Sequence, residues 1–229
     1  MQLQRFSVLF LLMVTLLLCS NAVVEAHVGL LHPCARSSPR AGCPKPSGGQ
    51  KIDYDLNAPI GTYSGKTFPL CKNTVPSKTR TVLKAGQSIK TDYTIGASHG
   101  GGHCQWAISY DAGKTWVVLK TMIRNCLKGT KLGQSYSVSV PLPKNAPNGK
   151  AVLMWLWNNA QGNRELYSNC ADVEIRGGSN GGSISGPVPL IANYGPGSLY
   201  IPEFPLTSSP DKHEAFAKRK TITVKVPRK

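Results

Sequence analysis

An all-β sandwich is the fold predicted by three features of the chain: short runs in which apolar and polar residues alternate, turn-rich stretches between them, and no sustained helical periodicity. Strand signals begin near Thr81. Trp106, Ile108 and Tyr110 alternate with polar or small residues, Asp111-Ala112-Gly113-Lys114 reads as a turn, and Trp116 to Leu119 resumes an apolar run, which predicts a hairpin. Tyr136, Val138 and Val140 alternate with serines, and Pro141 to Gly149 is turn-rich. Ala151 to Trp157 is a continuous apolar strand suited to a sandwich interior, and Val173 and Ile175 close the series. Short strands in this rhythm favour an immunoglobulin- or fibronectin-like sandwich with long disulfide-linked loops. Trp106, Trp116, Trp155 and Trp157 all fall within strand runs, so core packing is a better reading for them than a flat platform for sugars.

Composition sets the outer limits. Of 229 residues, 41% are hydrophobic and 17% charged, enough apolar surface to close a core, which excludes a disordered chain. The net charge of +16 argues for anionic partners or surroundings. Arg5, the apolar run Phe6 to Leu18 and the small Ala26 read as a signal peptide over residues 1–26, so a secreted, extracellular protein is expected. The run is too short to span a bilayer, and export disfavours nucleic acid, so neither a membrane nor a nucleic-acid partner is expected. Six cysteines then remain, an even number suited to three disulfides in an oxidising compartment.

Cleavage after Ala26 would leave His27 first, with its α-amine and its ring Nδ1 both able to close on one metal ion. A second histidine, His99, lies in Ala97-Ser98-His99-Gly100-Gly101-Gly102-His103-Cys104-Gln105, at the mouth of a glycine loop where backbone can approach a partner closely. Further on, Gly162-Asn163-Arg164-Glu165-Leu166-Tyr167-Ser168-Asn169-Cys170 sets Glu165 and Tyr167 two apart, on one face of an extended chain. One amine and two imidazoles form a set matched to copper(II), with a phenol able to occupy a weak axial position.

With the N-terminal histidine, these two blocks resemble the lytic polysaccharide monooxygenases over about residues 27–176, nearest the fungal chitin-active and oomycete pectin-active branches. The resemblance implies one copper ion held by His27 and His99, Tyr167 in the axial position and Glu165 as the carboxylate behind it. Ala97 falls where the family keeps a small side chain beside the axial face. It also implies oxidative cleavage of glycosidic bonds in a polysaccharide, fed by an external electron donor and O2 or H2O2, by a protein expected to be a monomer. His103 stands where the family often has a small residue; a structural role is the first expectation for it, and orienting the oxygen co-substrate together with Glu165 the second. A non-catalytic wall-binding or copper-carrying protein is the rival reading. A hydrolase with paired carboxylates is disfavoured, because only seven acids lie between His27 and Arg176 and none forms a convincing pair.

Along the chain, His27 to about Lys72 is rich in Pro, Gly and polar residues and is expected to be a long cross-linked loop region. Cys34 and Cys43 flank a short Pro/Gly loop, Cys104 and Cys126 sit on successive strand segments, and Cys71 with Cys170 would pin the loop region beside the Tyr167 strand. Residues 27–176 are read as the sandwich and 177–187 (GGSNGGSISGP) as a flexible linker. Residues 188–229 form a basic tail too short for a core of its own.

The charge leads to a polyuronide such as homogalacturonan (pectin) as the expected substrate, with chitin or cellulose the alternative. Retention on an anionic polysaccharide should therefore weaken as salt rises from low to physiological strength, where the screening length is about 8 Å. Retention that is indifferent to salt in a cosedimentation series would contradict an electrostatic contribution.

Overall fold

The computed structural model describes residues 27–204 and 210–228; the expected signal peptide lies outside the described residues. Two sheets face one another. The smaller consists of β1 (Val28–His32), β4 (Ser88–Ile95) and β7 (Tyr136–Pro141), in the order β1-β4-β7. The larger runs β2-β9-β8-β5-β6, formed by β2 (Gly61–Thr62), β9 (Glu165–Arg176), β8 (Gly149–Asn159), β5 (Gly102–Ser109) and β6 (Val117–Cys126), with β3 (Thr81–Lys84) parallel to β9. The predicted sandwich is thus present, and its interior is the predicted one. Trp106, Trp155 and Trp157 are buried between the sheets with Val28, Leu30 and Tyr93, while Trp116 is buried in a second apolar cluster. All four tryptophans are core residues, each at most 7% exposed.

Alternation explains how one strand serves two sides. In β5, Cys104, Trp106 and Ile108 face the sandwich interior. His103, Gln105 and Ala107 therefore face the outer side of the larger sheet. Close approach of β5 and β8 depends on Gly102, where a Cβ would come within 2.1 Å of the Asn158 carbonyl oxygen.

The N-terminal loop region contains two strands the composition concealed. Val28 and Leu30 alternate into the core and make β1, paired with β4 from Val28↔Ile95 onward, and β2 pairs with the start of β9. The glycine-serine run read as a linker is corrected similarly: Gly182–Pro187 forms β10, an antiparallel partner of β11 (Thr221–Val226). Ile184, Ile222 and Val224 bring that ribbon onto the main core, which outweighs the conformational freedom of its glycines. The described residues of the intervening segment lie on the outer face of the larger sheet, where Ile201, Phe204 and Phe216 cluster with Ala160, and include a short helix, α1 (His213–Ala217).

The three disulfides are Cys34–Cys43, Cys71–Cys170 and Cys104–Cys126, the pairs expected from their positions. A buried ion pair adds to them. Arg36 donates from Nε and Nη2 to the two carboxylate oxygens of Asp172, at 2.9 and 2.8 Å, and the backbone N–H of Ser77 donates to the same group at 2.7 Å. Replacing Asp172 by Ala leaves the Arg36 guanidinium buried and unpaired. A loss of about 3 to 5 kcal/mol in unfolding free energy is expected by denaturant titration.

Candidate metal centre

The register of β1 on β4 decides where His27 lies. Gly96, just past the end of β4, donates its backbone N–H to the His27 carbonyl at 2.7 Å, so the start of β1 lies beside the loop that follows β4. That loop carries His99 in a left-handed conformation, φ 45°, and Gly100, Gly101 and Gly102 continue it with positive φ. Glu165 and Tyr167 open β9, and their side chains project toward the same end of the sandwich from the opposite sheet.

The distances define one cluster. The Tyr167 hydroxyl lies 3.3 Å from His99 Nε2 and donates to Glu165 Oε2 at 2.7 Å. The Tyr167 ring centroid is 6.1 Å from that of His27 and 6.3 Å from that of His99. Trp157 closes the inner side, 4.5 Å from Tyr167 and 5.9 Å from His99. Burial, reinforced by the Glu165 carboxylate, pushes the Tyr167 phenol far above its ordinary pKa, so it stays neutral across the physiological range. Two imidazoles beside a neutral, hydrogen-bonded phenol suit a soft or borderline transition metal with room for few ligands.

The loop between β8 and β9 supports His99 from outside. A Cβ on Gly162, whose φ is +85°, would come 3.2 Å from His99 Nδ1. Arg164 donates from Nε and Nη2 to the Gly162 carbonyl and from Nη1 to the carbonyls of Asn159 and Pro202. Burial lowers the Arg164 pKa, while Glu203, Tyr200, Glu165 and Tyr167 act to raise it. Gly162 itself donates to Glu203 Oε1 at 3.3 Å, so the C-terminal segment is in direct contact with the loop behind His99.

His103 is not brought to this cluster. It faces the outer side of the larger sheet, where its ring stacks on Phe204 at 4.8 Å. The backbone N–H of Arg124 donates to its Nδ1 at 3.1 Å, which makes Nε2 the protonated nitrogen, donating to the Asp211 carbonyl at 2.9 Å. Burial lowers its pKa, in keeping with this neutral form. The Asp211 carboxylate, although burial alone would raise it, is held well below the usual range by Arg124 and His213. His103 thus fastens the C-terminal segment to the sheet. Two further residues lie at the candidate site without having been placed there from sequence: Trp157, read only as a core residue, behind the phenol, and Gly162 beside His99. A strand tryptophan and a loop glycine carry no signal of such a role.

Fold and site together define a β-sandwich with a tyrosine-backed candidate metal centre of two histidines at one end. A family model described as "Lytic polysaccharide mono-oxygenase, cellulose-degrading" matches residues 45–173, more than half of the chain, and the chain belongs to that family. The matched stretch includes His99, Glu165 and Tyr167 and leaves out His27 and the C-terminal segment. AA11 family lytic polysaccharide monooxygenase A of Aspergillus fumigatus is 40% identical over 133 residues, 57% of this chain and 57% of that protein. An AA11 family lytic polysaccharide monooxygenase of Aspergillus oryzae is 31% identical over 179 residues, 71% of this chain and 38% of that protein. The chain thus spans about half the length of the curated relatives it matches. Among solved structures, an AA10 lytic polysaccharide monooxygenase from Streptomyces lividans superposes with a TM-score of 0.48 at 17% identity, covering 65% of this chain and 99% of that one.

His103→Ala should loosen the C-terminal segment and leave the metal end intact. Faster amide hydrogen exchange at Phe204 and Phe216 is expected, with a stability loss of about 2 to 4 kcal/mol from lost hydrogen bonds and packing. Unchanged copper affinity of the same variant would separate His103 from the centre, and a steep loss would place it there.

Proposed function

We propose that this chain is a secreted copper-dependent monooxygenase that cleaves polysaccharide chains oxidatively. The single observation that carries the reading is the meeting of His27, His99 and the Glu165-bonded Tyr167 at one end of the sandwich. The residues fit the metal: two imidazoles lie about equally far from one neutral phenol, and that phenol is neither charged nor exposed enough to act as a strong ligand. His27 would contribute its ring and, once residues 1–26 are removed, its α-amine; His99 would contribute Nε2, the nitrogen that faces Tyr167.

The chemistry supplied by bound copper is one-electron redox turnover of O2 or H2O2 with electrons from an external donor. Tyr167, beside both imidazoles, would keep other ligands away from the side its phenol covers. Glu165 accepts a 2.7 Å hydrogen bond from the Tyr167 hydroxyl and so fixes the phenol, and its carboxylate lies 4.0 Å from His99 Nε2, placed to orient a polar co-substrate. Trp157 and the main core exclude water from the inner side. Nothing among the relatives supports pectin; the matching family model is described as cellulose-degrading, and a neutral glycan is the better reading. No helix among the described residues is long and apolar enough to cross a membrane.

The test is a copper titration of two forms, one beginning at His27 and one retaining Ala26. The extended form displaces the α-amine, and its affinity should fall by more than about 100-fold, beyond what loss of an outer hydrogen-bond partner costs. Equal affinity would remove the proposed ligand set. Mass spectrometry of products from reductant-driven reactions would then show oxidised oligosaccharides.

A further inference from the structure

The end of the sandwich opposite Tyr167 holds a cleft of about 400 Å³ whose lining includes Lys150, Glu174, Arg176, Asn180 and Pro227. Strand register explains why charges gather there. Lys150 pairs with Glu174 across β8 and β9, and Lys84 of β3 pairs with Arg176, so all four share one face of the larger sheet. The Lys84 side chain lies against the cleft, since a Cβ on Gly177 would stand 3.6 Å from Lys84 Cγ. The same lysine lines a second cleft, of about 210 Å³, with His32, Gln87, Ser88 and Lys90. Arg228 reaches the first cleft from the end of the β10–β11 ribbon, where a Cβ on Gly181 would come 2.6 Å from its Cγ. The two clefts thus form one concave track with Lys84 at the join.

Cations outnumber acids along this track, and the acids are already engaged. Glu174 accepts from Arg176 Nε at 2.9 Å, and Asp92, 3.3 Å from Lys90, accepts from the Ser137 hydroxyl at 2.5 Å. The Arg176 hydrogen bond, with Lys150 and Arg80 nearby, lowers the Glu174 pKa, so that carboxylate registers positive surroundings. Among the described residues Lys84 and Lys150 form no salt bridge, and Arg176 uses only its Nε, which leaves both Nη groups for a carboxylate fork. Asn180, Gln87 and Ser88 lie between the cations and offer amides and a hydroxyl. Spaced charge with neutral polar groups between suits a polymer that carries one carboxylate per sugar ring and hydroxyls around it. Among the described residues no aromatic ring lines either cleft, so the stacking platform of a single-stranded nucleic acid is missing. A concave track also does not match the flat face of a bilayer.

We infer that this track is a docking surface for an acidic polysaccharide, a polyuronate chain held by Lys84, Lys150 and Arg176 at the end of the sandwich away from the candidate metal centre. The polymer held here anchors the protein and is not its substrate. An acidic glycan at this end is therefore compatible with a neutral one at the other. The inference goes beyond the function proposed above and needs neither copper nor turnover. It gives part of the net charge of +16 a place and a task.

The experiment uses the chain beginning at His27, without copper or reductant. Binding to immobilised polygalacturonate is measured at low and physiological salt for the wild type and two triple variants. The track variant combines Lys84→Gln, Lys150→Gln and Arg176→Gln. The control combines Lys66→Gln, Lys128→Gln and Lys131→Gln, which removes equal charge near β2 and the start of β5, at the other end. All six side chains are exposed, so both variants should unfold at the wild-type temperature. The track variant should bind about ten-fold more weakly and the control within about two-fold of wild type, the gap narrowing as salt rises. Lys84→Arg with Lys150→Arg, which keeps the charge, should bind like the wild type, and chitohexaose in solution should displace none of the protein. No wild-type binding at low salt, equal losses in the two triple variants, an unaffected track variant, or displacement by chitohexaose would each overturn the docking surface. Phosphatidylserine vesicles test the rival partner: loss of vesicle binding in the track variant with polygalacturonate binding kept would assign the track to a membrane and overturn the inference. Failure of the protein to bind copper would sink the proposed function and leave these results unchanged.

Discussion

The metal end depends on how β1 is held between the two sheets. Its pairing with β4 uses one edge, and Asn169 of β9 takes the other: the Asn169 side-chain oxygen accepts the Leu30 N–H at 2.8 Å, while its amide donates to the carbonyls of Leu56 and Ser168. Asn169 is buried, so each of these bonds is made away from competing water. Without that clamp the first strand would be an edge strand in one sheet, free to fray toward its N-terminal end. With it, His27 is carried to a fixed place beside Gly96 and thus beside His99. Asn169 belongs to the same nine-residue block as Glu165 and Tyr167, so one short stretch of β9 supplies the phenol, the carboxylate and the clamp.

Much of this was legible in the chain itself, for physical reasons. Period-two alternation at Tyr136, Val138 and Val140 and the apolar run Ala151 to Trp157 reported burial directly, because a strand with one or two covered faces can have no other pattern. That His27, His99, Glu165 and Tyr167 meet at one end was legible because a metal site would demand particular atoms in particular order. The cysteine pairs followed from segment position. The misreadings have a common cause. Gly182 to Pro187 has the composition of a flexible chain, yet it pairs with Thr221–Val226, whose alternating Ile222 and Val224 supply the burial its own residues lack. Partners distant in sequence were decisive, and composition reports only what a segment can do alone.

His103 shows the same limit from another side. Its place in the glycine-rich block suggested proximity to the candidate metal centre, but three residues of turn and strand separate it from His99, and the pleat sends its ring to the outer face. There it organises Arg124, Asp211, Phe204 and Phe216 into the attachment of the C-terminal segment. The buried Arg36–Asp172 pair was similarly invisible, since a charge that will be paired 136 positions away looks like any other charge.

The β8–β9 ladder gives the molecule a long axis. Asn158 pairs with Leu166 at the metal end, and Gly149 pairs with Ile175 at the other, about 30 Å away at 3.3 Å per residue. Pro227 lines a pocket with Gly149 and Arg176, so the β10–β11 ribbon delivers the last described residues to the pole farthest from His27. A molecule tethered at Pro227 to an electrode or a bead would therefore stand with His27 and His99 facing outward, oriented by its own topology.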